Sequence, residues 1–259
     1  MSIAGQSSMN VSLYQAAAAL NANERWQEAI AENLASSSIP GFKRQDMSFS
    51  SVQSGLMSTG TESSTGAKTP YSLPQSHPAT SFAQGEMRST SLDTDMALEG
   101  PGFFQVQMPN GDMAYTRDGE FHMNAQGQLV TKQGYAVMSE NGPVQLNPRG
   151  NSSLTLSADG QISQGSDSHG KLKAVEFKDP QRLTHLGGSY FQAGDPQAQM
   201  SNATGTTFRQ RYLEAANTTP AAEMVNMMSA LRSYEANQKL IQIQDEHMGM
   251  SIRDLSGAS

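Results

Sequence analysis

The two ends of this chain carry one kind of pattern and the middle carries another. Near the start, Leu13, Leu20, Gln27 and Leu34 recur every seven residues, and Ala16, Asn23 and Ile30 stand three places after the first three. Near the end, Met224, Met227, Leu231, Tyr234, Gln238, Ile241, Asp245, Met248 and Ile252 follow one another at steps of three and four. Both are heptad seams, which place their members along one stripe of a helix and call for a partner helix. Residues 8–36 and 221–252 are therefore predicted as helices. The first should stop by Ser36–Ser38, before Pro40 and Gly41, and the second begins just after Pro220. A second apolar stripe on the later helix, Leu240, Ile243, His247 and Met250, asks for more than one partner.

Between the ends the period changes. Glycines at 111, 119, 127, 134 and 142 are seven or eight apart, several in the pairs Asn110-Gly111, Asp118-Gly119, Asn141-Gly142 and Asp159-Gly160. Such pairs favour tight turns, and short alternating runs lie between them, so an antiparallel meander, sandwich or barrel is expected. Residues 45–90 are rich in Ser, Thr, Gly and Pro, and Pro70, Pro74 and Pro78 forbid a regular helix. This stretch reads as an extended arm. The expected fold is α+β: N- and C-terminal heptad helices paired as a coiled coil, a central all-β domain and an extended linking arm. The boundaries are 1–36 (helical), 37–90 (arm), 91–215 (β) and 216–259 (helical).

Composition narrows the function. The 259 residues contain no cysteine, which removes disulfides, thiolate metal sites and thiol nucleophiles. Seventeen basic against 24 acidic residues leave a net charge of −7, the wrong sign for a nucleic-acid binder. No apolar run is long enough to cross a membrane, and the N-terminal residues lack the pattern of a cleavable export signal. The five histidines are scattered without metal-ligand spacing, and no nucleophile elbow or P-loop is present. Gly100-Pro101-Gly102 lacks the third glycine of a dinucleotide fingerprint, and the Asp93/Asp95 pair lacks the remaining ligands of a calcium loop. The one dense acidic group, Glu99, Asp112, Asp118 and Glu120, reads as solvated loop charge rather than as the carboxylates of a hydrolase. No catalytic residue, cofactor, metal or small-molecule substrate is expected.

Three segments resemble the axial family of the bacterial flagellum, its rod and hook proteins. The first is Asn33-Leu34-Ala35 followed by Pro40-Gly41-Phe42-Lys43, with Glu32, Ser36 and Ile39 in place of the usual Asn, Asn and Thr. The second runs through Gly100, Gly102, Phe103 and Phe104 to Tyr115-Thr116-Arg117-Asp118-Gly119. The third holds Leu213-Glu214-Ala215-Ala216-Asn217 and, further on, Tyr234-Glu235-Ala236-Asn237; Ala216 and Thr218 depart from the usual Ser and Val. They occur in the family's order and reach both ends of the chain.

The resemblance implies a non-enzymatic subunit whose terminal helices form an inner coiled-coil layer around an export channel and whose β domain lies outside. It implies assembly with itself and with other rod and hook proteins. It further implies passage through the flagellar type III export apparatus, and residence in the periplasm-spanning rod of the basal body. Length favours a rod component over the hook protein, and the residues after Lys43-Arg44 lean toward the proximal rod. The alternatives are a secreted coiled-coil/β fibre or adhesin subunit, or a hook-type paralogue. The residues expected to form the assembly seam are Leu13, Leu20, Ile30, Leu34, Met224, Leu231, Tyr234 and Ile241. Gly41 is expected at a backbone turn, and Phe42 as a buried anchor at the start of the arm.

Overall fold

The computed structural model describes residues 3–58, 68–148, 153–195 and 198–256. The side chains of residues 3–14, 52–58, 68–74, 248, 251–252 and 254–256 are outside the described set, which leaves out those of Leu13, Met248 and Ile252. The chain divides into two compact units. One holds Met1–Leu34, Gln45–Ala79 and Pro220–Ser259; the other holds Ala35–Arg44 and Thr80–Thr219.

In the helical unit, α1 spans Ile3–Ser36 and α2 spans Pro220–Ser256. The end of α1 falls where the sequence signals place it; both helices run a few residues longer than their seams. α1 buries Ala22, Asn23, Ala29, Ile30 and Asn33. Leu20 and Leu34 are half-buried.

Within residues 45–80, expected to be part of an extended arm, the described residues are extended and paired. They form a two-stranded ribbon, β1 (Gln45–Ser58) and β2 (Lys68–Thr80). Pro70, Pro74 and Pro78 all lie inside β2. Their spacing of four puts every missing N–H on the same side of the strand, which an edge strand tolerates. The prolines exclude a helix, as expected, without excluding pairing. Phe49 of β1 meets Trp26 of α1 edge-on, with ring centroids 5.9 Å apart. The remainder of the supposed arm, residues 37–44 and 80–90, belongs to the β unit.

The β unit is built on a ten-stranded antiparallel sheet. Its central strand, Phe103–Gln107, pairs with Met113–Thr116 on one side and with Ala136–Ser139 and Ala174–Phe177 on the other. Because successive side chains point to opposite faces, the adjacent Phe103 and Phe104 serve two separate cores. Phe104 packs with Met96, Val106, Phe121, Leu129, Ile162 and Phe208. Phe103 packs with Tyr115, Val175, Phe177 and Phe191. Two short antiparallel pairs close the unit: Met96–Glu99 with Thr207–Gln210, and Met87–Ser89 with Tyr212–Glu214.

Most glycine-bearing pairs turn hairpins as the spacing suggests. Asn110-Gly111 joins two paired strands, and the Gly111 N–H donates to the Met108 carbonyl at 2.9 Å. Asp118-Gly119 is the exception. Gly119 makes no hairpin; its backbone lies against Met96, where an added Cβ would stand 1.5 Å from the Met96 carbonyl oxygen. Close approach, rather than turn conformation, demands glycine there. Gly119→Ala is expected to destabilise the β unit by roughly 3 kcal/mol, the upper range for overpacking against backbone. Gly111→Ala, with nothing within 4 Å of its Cβ, meets only backbone strain and should cost less. Urea denaturation of both variants checks the order.

Candidate functional site: a buried charge cluster where three motifs meet

The segment after α1 contributes Gly41-Phe42-Lys43-Arg44. Gly41 has φ +67°, and a Cβ there would lie 2.2 Å from the Arg117 carbonyl carbon. The turn therefore needs both the left-handed conformation and the missing side chain. It drives Phe42 and Lys43 into the interior, where both are buried.

Lys43 meets Glu214 there. Its Nζ donates to Glu214 Oε1 at 2.5 Å and to the Ala83 carbonyl at 2.8 Å. Arg117 approaches the same carboxylate, Nη1 to Oε2 at 3.4 Å. It also donates to the Gly100 carbonyl at 2.6 Å, with its guanidinium 5.0 Å from the Phe103 ring centroid. The Gly85 N–H donates to Glu214 Oε1 at 2.7 Å, and the Gly41 N–H to the Glu214 carbonyl at 2.7 Å. The three side chains are 0 %, 0 % and 3 % exposed for Lys43, Glu214 and Arg117. Burial lowers the pKa of Lys43 and of Arg117, and the Glu214 carboxylate opposes the shift in each.

Asn217 completes the joint. Its Oδ1 accepts from the Arg44 N–H at 2.7 Å, and its Nδ2 donates to the carbonyls of Ser81 at 2.7 Å and Ala83 at 3.0 Å. The segment that follows α1 and the segment that precedes α2 thus lie side by side inside the β unit. In the helical unit, Asn33 makes the corresponding link to the ribbon, exchanging two 2.8 Å hydrogen bonds with the backbone of Gln45.

The arrangement brings together Gly41, Phe42, Lys43, Gly100, Phe103, Arg117, Glu214 and Asn217 from all three motifs. Gly102 lies beside them against Thr206, to whose Oγ1 its N–H donates at 2.9 Å. Phe104, Tyr115 and Thr116 serve the sheet. Pro40 and Leu213 are half-buried and Ala35 is exposed; on α2, Tyr234 and Asn237 are half-buried and Glu235 is exposed. Among the expected seam residues, Ile30 is buried, Leu20, Leu34, Tyr234 and Ile241 are half-buried, and Met224 and Leu231 are 54 % and 45 % exposed.

The sequence reading missed Ser81, Ala83 and Gly85, which it left in the arm, and the opposition of Lys43 to Glu214 across 171 positions. It also placed Asp118 among solvated charges. Asp118 is buried, its Oδ1 accepting the Glu120 N–H at 2.9 Å. Burial, reinforced by the Glu120 charge and partly offset by that hydrogen bond, pushes its carboxyl up to about 6.

Two outcomes follow from these charges. Glu214→Gln keeps the shape and leaves two buried cations without a counter-charge, so the β unit should lose roughly 3–5 kcal/mol. Guanidinium denaturation monitored by circular dichroism measures the loss. For Asp118, the folded chain holds its proton up to about pH 6 while the unfolded chain releases it near 3.8, so this group lowers stability as pH rises between those values. Asp118→Asn retains the acceptor and drops the charge. It should raise stability at pH 7–8 by up to roughly 3 kcal/mol and flatten the slope between pH 4 and 6 in melts taken across that range.

Comparison with known proteins agrees with the motif reading. Residues 97–164 match the family described as the flagellar hook protein FlgE/F/G D1 domain, and residues 209–253 match the flagellar basal body rod FlgEFG protein C-terminal family. Arg117 falls in the first match and Glu214 in the second. The chain is 34% identical over 254 residues to the flagellar basal-body rod protein FlgG of Buchnera aphidicola subsp. Schizaphis graminum, covering 91% of this chain and 96% of the relative. It is 33% identical over 259 residues to FlgG of Borreliella burgdorferi, covering 92% and 96%. It is 31% identical over 224 residues to the rod protein FlgF of Caulobacter vibrioides, covering 83% and 85%. This chain belongs to the flagellar basal-body rod protein family.

Proposed function

We propose that this chain is a structural subunit of the flagellar basal-body rod, polymerising helically with copies of itself and with other rod and hook proteins into a hollow shaft that transmits torque. Its terminal helices pair as a coiled coil in the inner wall around the export channel, and its β unit forms the outer layer. It leaves the cytoplasm through the flagellar type III export apparatus. It works by packing, with no catalytic step, cofactor or small-molecule substrate.

The observation that carries this reading is the outward side of α2. Glu223 and Ala230 are buried, with Met227, Tyr234 and Ile241 half-buried along the same side. The rest of its surface leaves Met224, Val225, Met228, Leu231, Leu240, Ile243 and Met250 exposed; Met224 and Leu231 flank the buried stripe, while Val225, Ile243 and Met250 lie opposite it. Large apolar side chains left exposed along one helix are a surface awaiting partners. Repetition of one such contact without closure generates an open helical tube. The ribbon of residues 45–80 is suited to act as a staple between neighbouring subunits, stiffening the shaft.

Leu231→Asp tests the seam. In the free chain the new carboxylate stands in water; in the polymer it would be an unpaired buried charge. The β unit should keep its native melting behaviour, while electron microscopy of basal bodies from cells carrying the variant should show missing or truncated rods and no hook. Normal rods would count against the seam.

A further inference from the structure

Sixteen methionines and no cysteine make the thioether the only sulfur chemistry this chain has. Met224, Met228 and Met250 on α2 are 54 %, 52 % and 52 % exposed, whereas Met96 in the β unit is fully buried. At 3.6 residues per turn, Met224, Met228 and Leu231 share one stripe of α2, on the flank beside the buried stripe of Glu223 and Ala230. Two exposed methionines of the helix, Met224 and Met228, therefore lie on the surface assigned above to assembly.

We propose that Met224 and Met228 make this surface sensitive to peroxide, so that oxidised subunits are excluded from the rod; the inference rests on the assembly reading. The sulfur lone pair attacks the O–O bond of hydrogen peroxide. One oxygen becomes the sulfoxide, the other leaves as water, and the thioether is oxidised by two electrons. A soft apolar side chain becomes a polar one, carrying an acceptor that must lose its water to enter a packed seam. Two-electron reduction by a thiol-dependent methionine sulfoxide reductase restores the thioether. Subunits already packed in the rod are protected, because the same contact that needs the thioether covers it. The sensitivity is confined to the interval before docking.

The test has two arms. Purified full-length protein is treated with hydrogen peroxide and followed by peptide mass spectrometry; sulfoxide should form at Met224 and Met228 at least tenfold faster than at Met96. In cells, the polar stand-in M224Q/M228Q should reduce rods per cell at least tenfold by electron microscopy of basal bodies. Met123→Gln, at an exposed methionine of the β unit, should leave the count unchanged. Glutamine and methionine have similar helix propensity, so circular dichroism of the double variant should match the parent; if it does not, the single variants Met224→Gln and Met228→Gln replace it. Equal oxidation of Met96 and Met224 overturns the inference. Normal rods with M224Q/M228Q but none with Leu231→Asp also overturn it and leave the assembly reading standing. Normal rods with both variants overturn the two together.

Discussion

A carboxylate shared between two buried cations is the constraint on which the β unit depends. Glu214 reaches Lys43 and Arg117 from positions 171 and 97 residues away and takes a further hydrogen bond from the Gly85 backbone. Each partner alone would be a charge stripped of water, which is strongly unfavourable; together they offset one another's charge and engage the carbonyls of Ala83 and Gly100, with the buried Arg117 Nε left without a hydrogen-bond partner. The net contribution of such a cluster to stability is modest compared with an apolar core of the same volume. What it supplies is registry. Only one docking of residues 212–217 on residues 41–44 and 81–85 places the carboxylate between both cations. The neighbouring glycines enforce the same choice sterically, since Gly41 lies against Arg117 and Gly85 against Ala215 at distances that admit no Cβ.

Around that joint the fold divides its labour by period. The heptad stretches become long helices with apolar residues on more than one side. The glycine-punctuated stretch becomes a sheet whose two faces are both filled, Phe104 and its neighbours on one and Phe103 and its neighbours on the other. The β unit buries most of its large apolar residues internally, with Leu92, Met123, Leu186 and Met200 left exposed, while α2 leaves seven large apolar side chains exposed that nothing in the described chain covers. This contrast fits a subunit whose one part is complete as folded and whose other part finishes its packing among neighbours.

Local features were legible in the sequence and distant ones were not. The helix ends, the hairpins at Asn110-Gly111 and Asn141-Gly142, and the need for glycine at 41 follow from propensity and backbone geometry, which act over a few residues. The pairing within residues 45–80 was not legible, because their prolines argue against a helix but are silent on whether an extended strand finds a partner. Asp118 was misjudged because a carboxylate beside a glycine looks like a surface turn, and only the approach of Met96 to Gly119 shows that the loop is interior. The charge cluster escaped notice for a related reason. Its members sit in three motifs, and nothing in one-dimensional spacing says that Lys43 opposes Glu214.

The two short strand pairs that close the β unit have a consequence for the time course of folding. Met87–Ser89 and Met96–Glu99 find their ladder partners only in residues 207–214, more than a hundred positions later. Contacts of that sequence separation carry a large loop-closure entropy and slow the approach to the native state. A chain made N-terminus first would hold those early strands unpaired until residues 207–214 had been added. Closure of the β unit is therefore a late event, set by when residues 207–214 become available rather than by the early strands themselves.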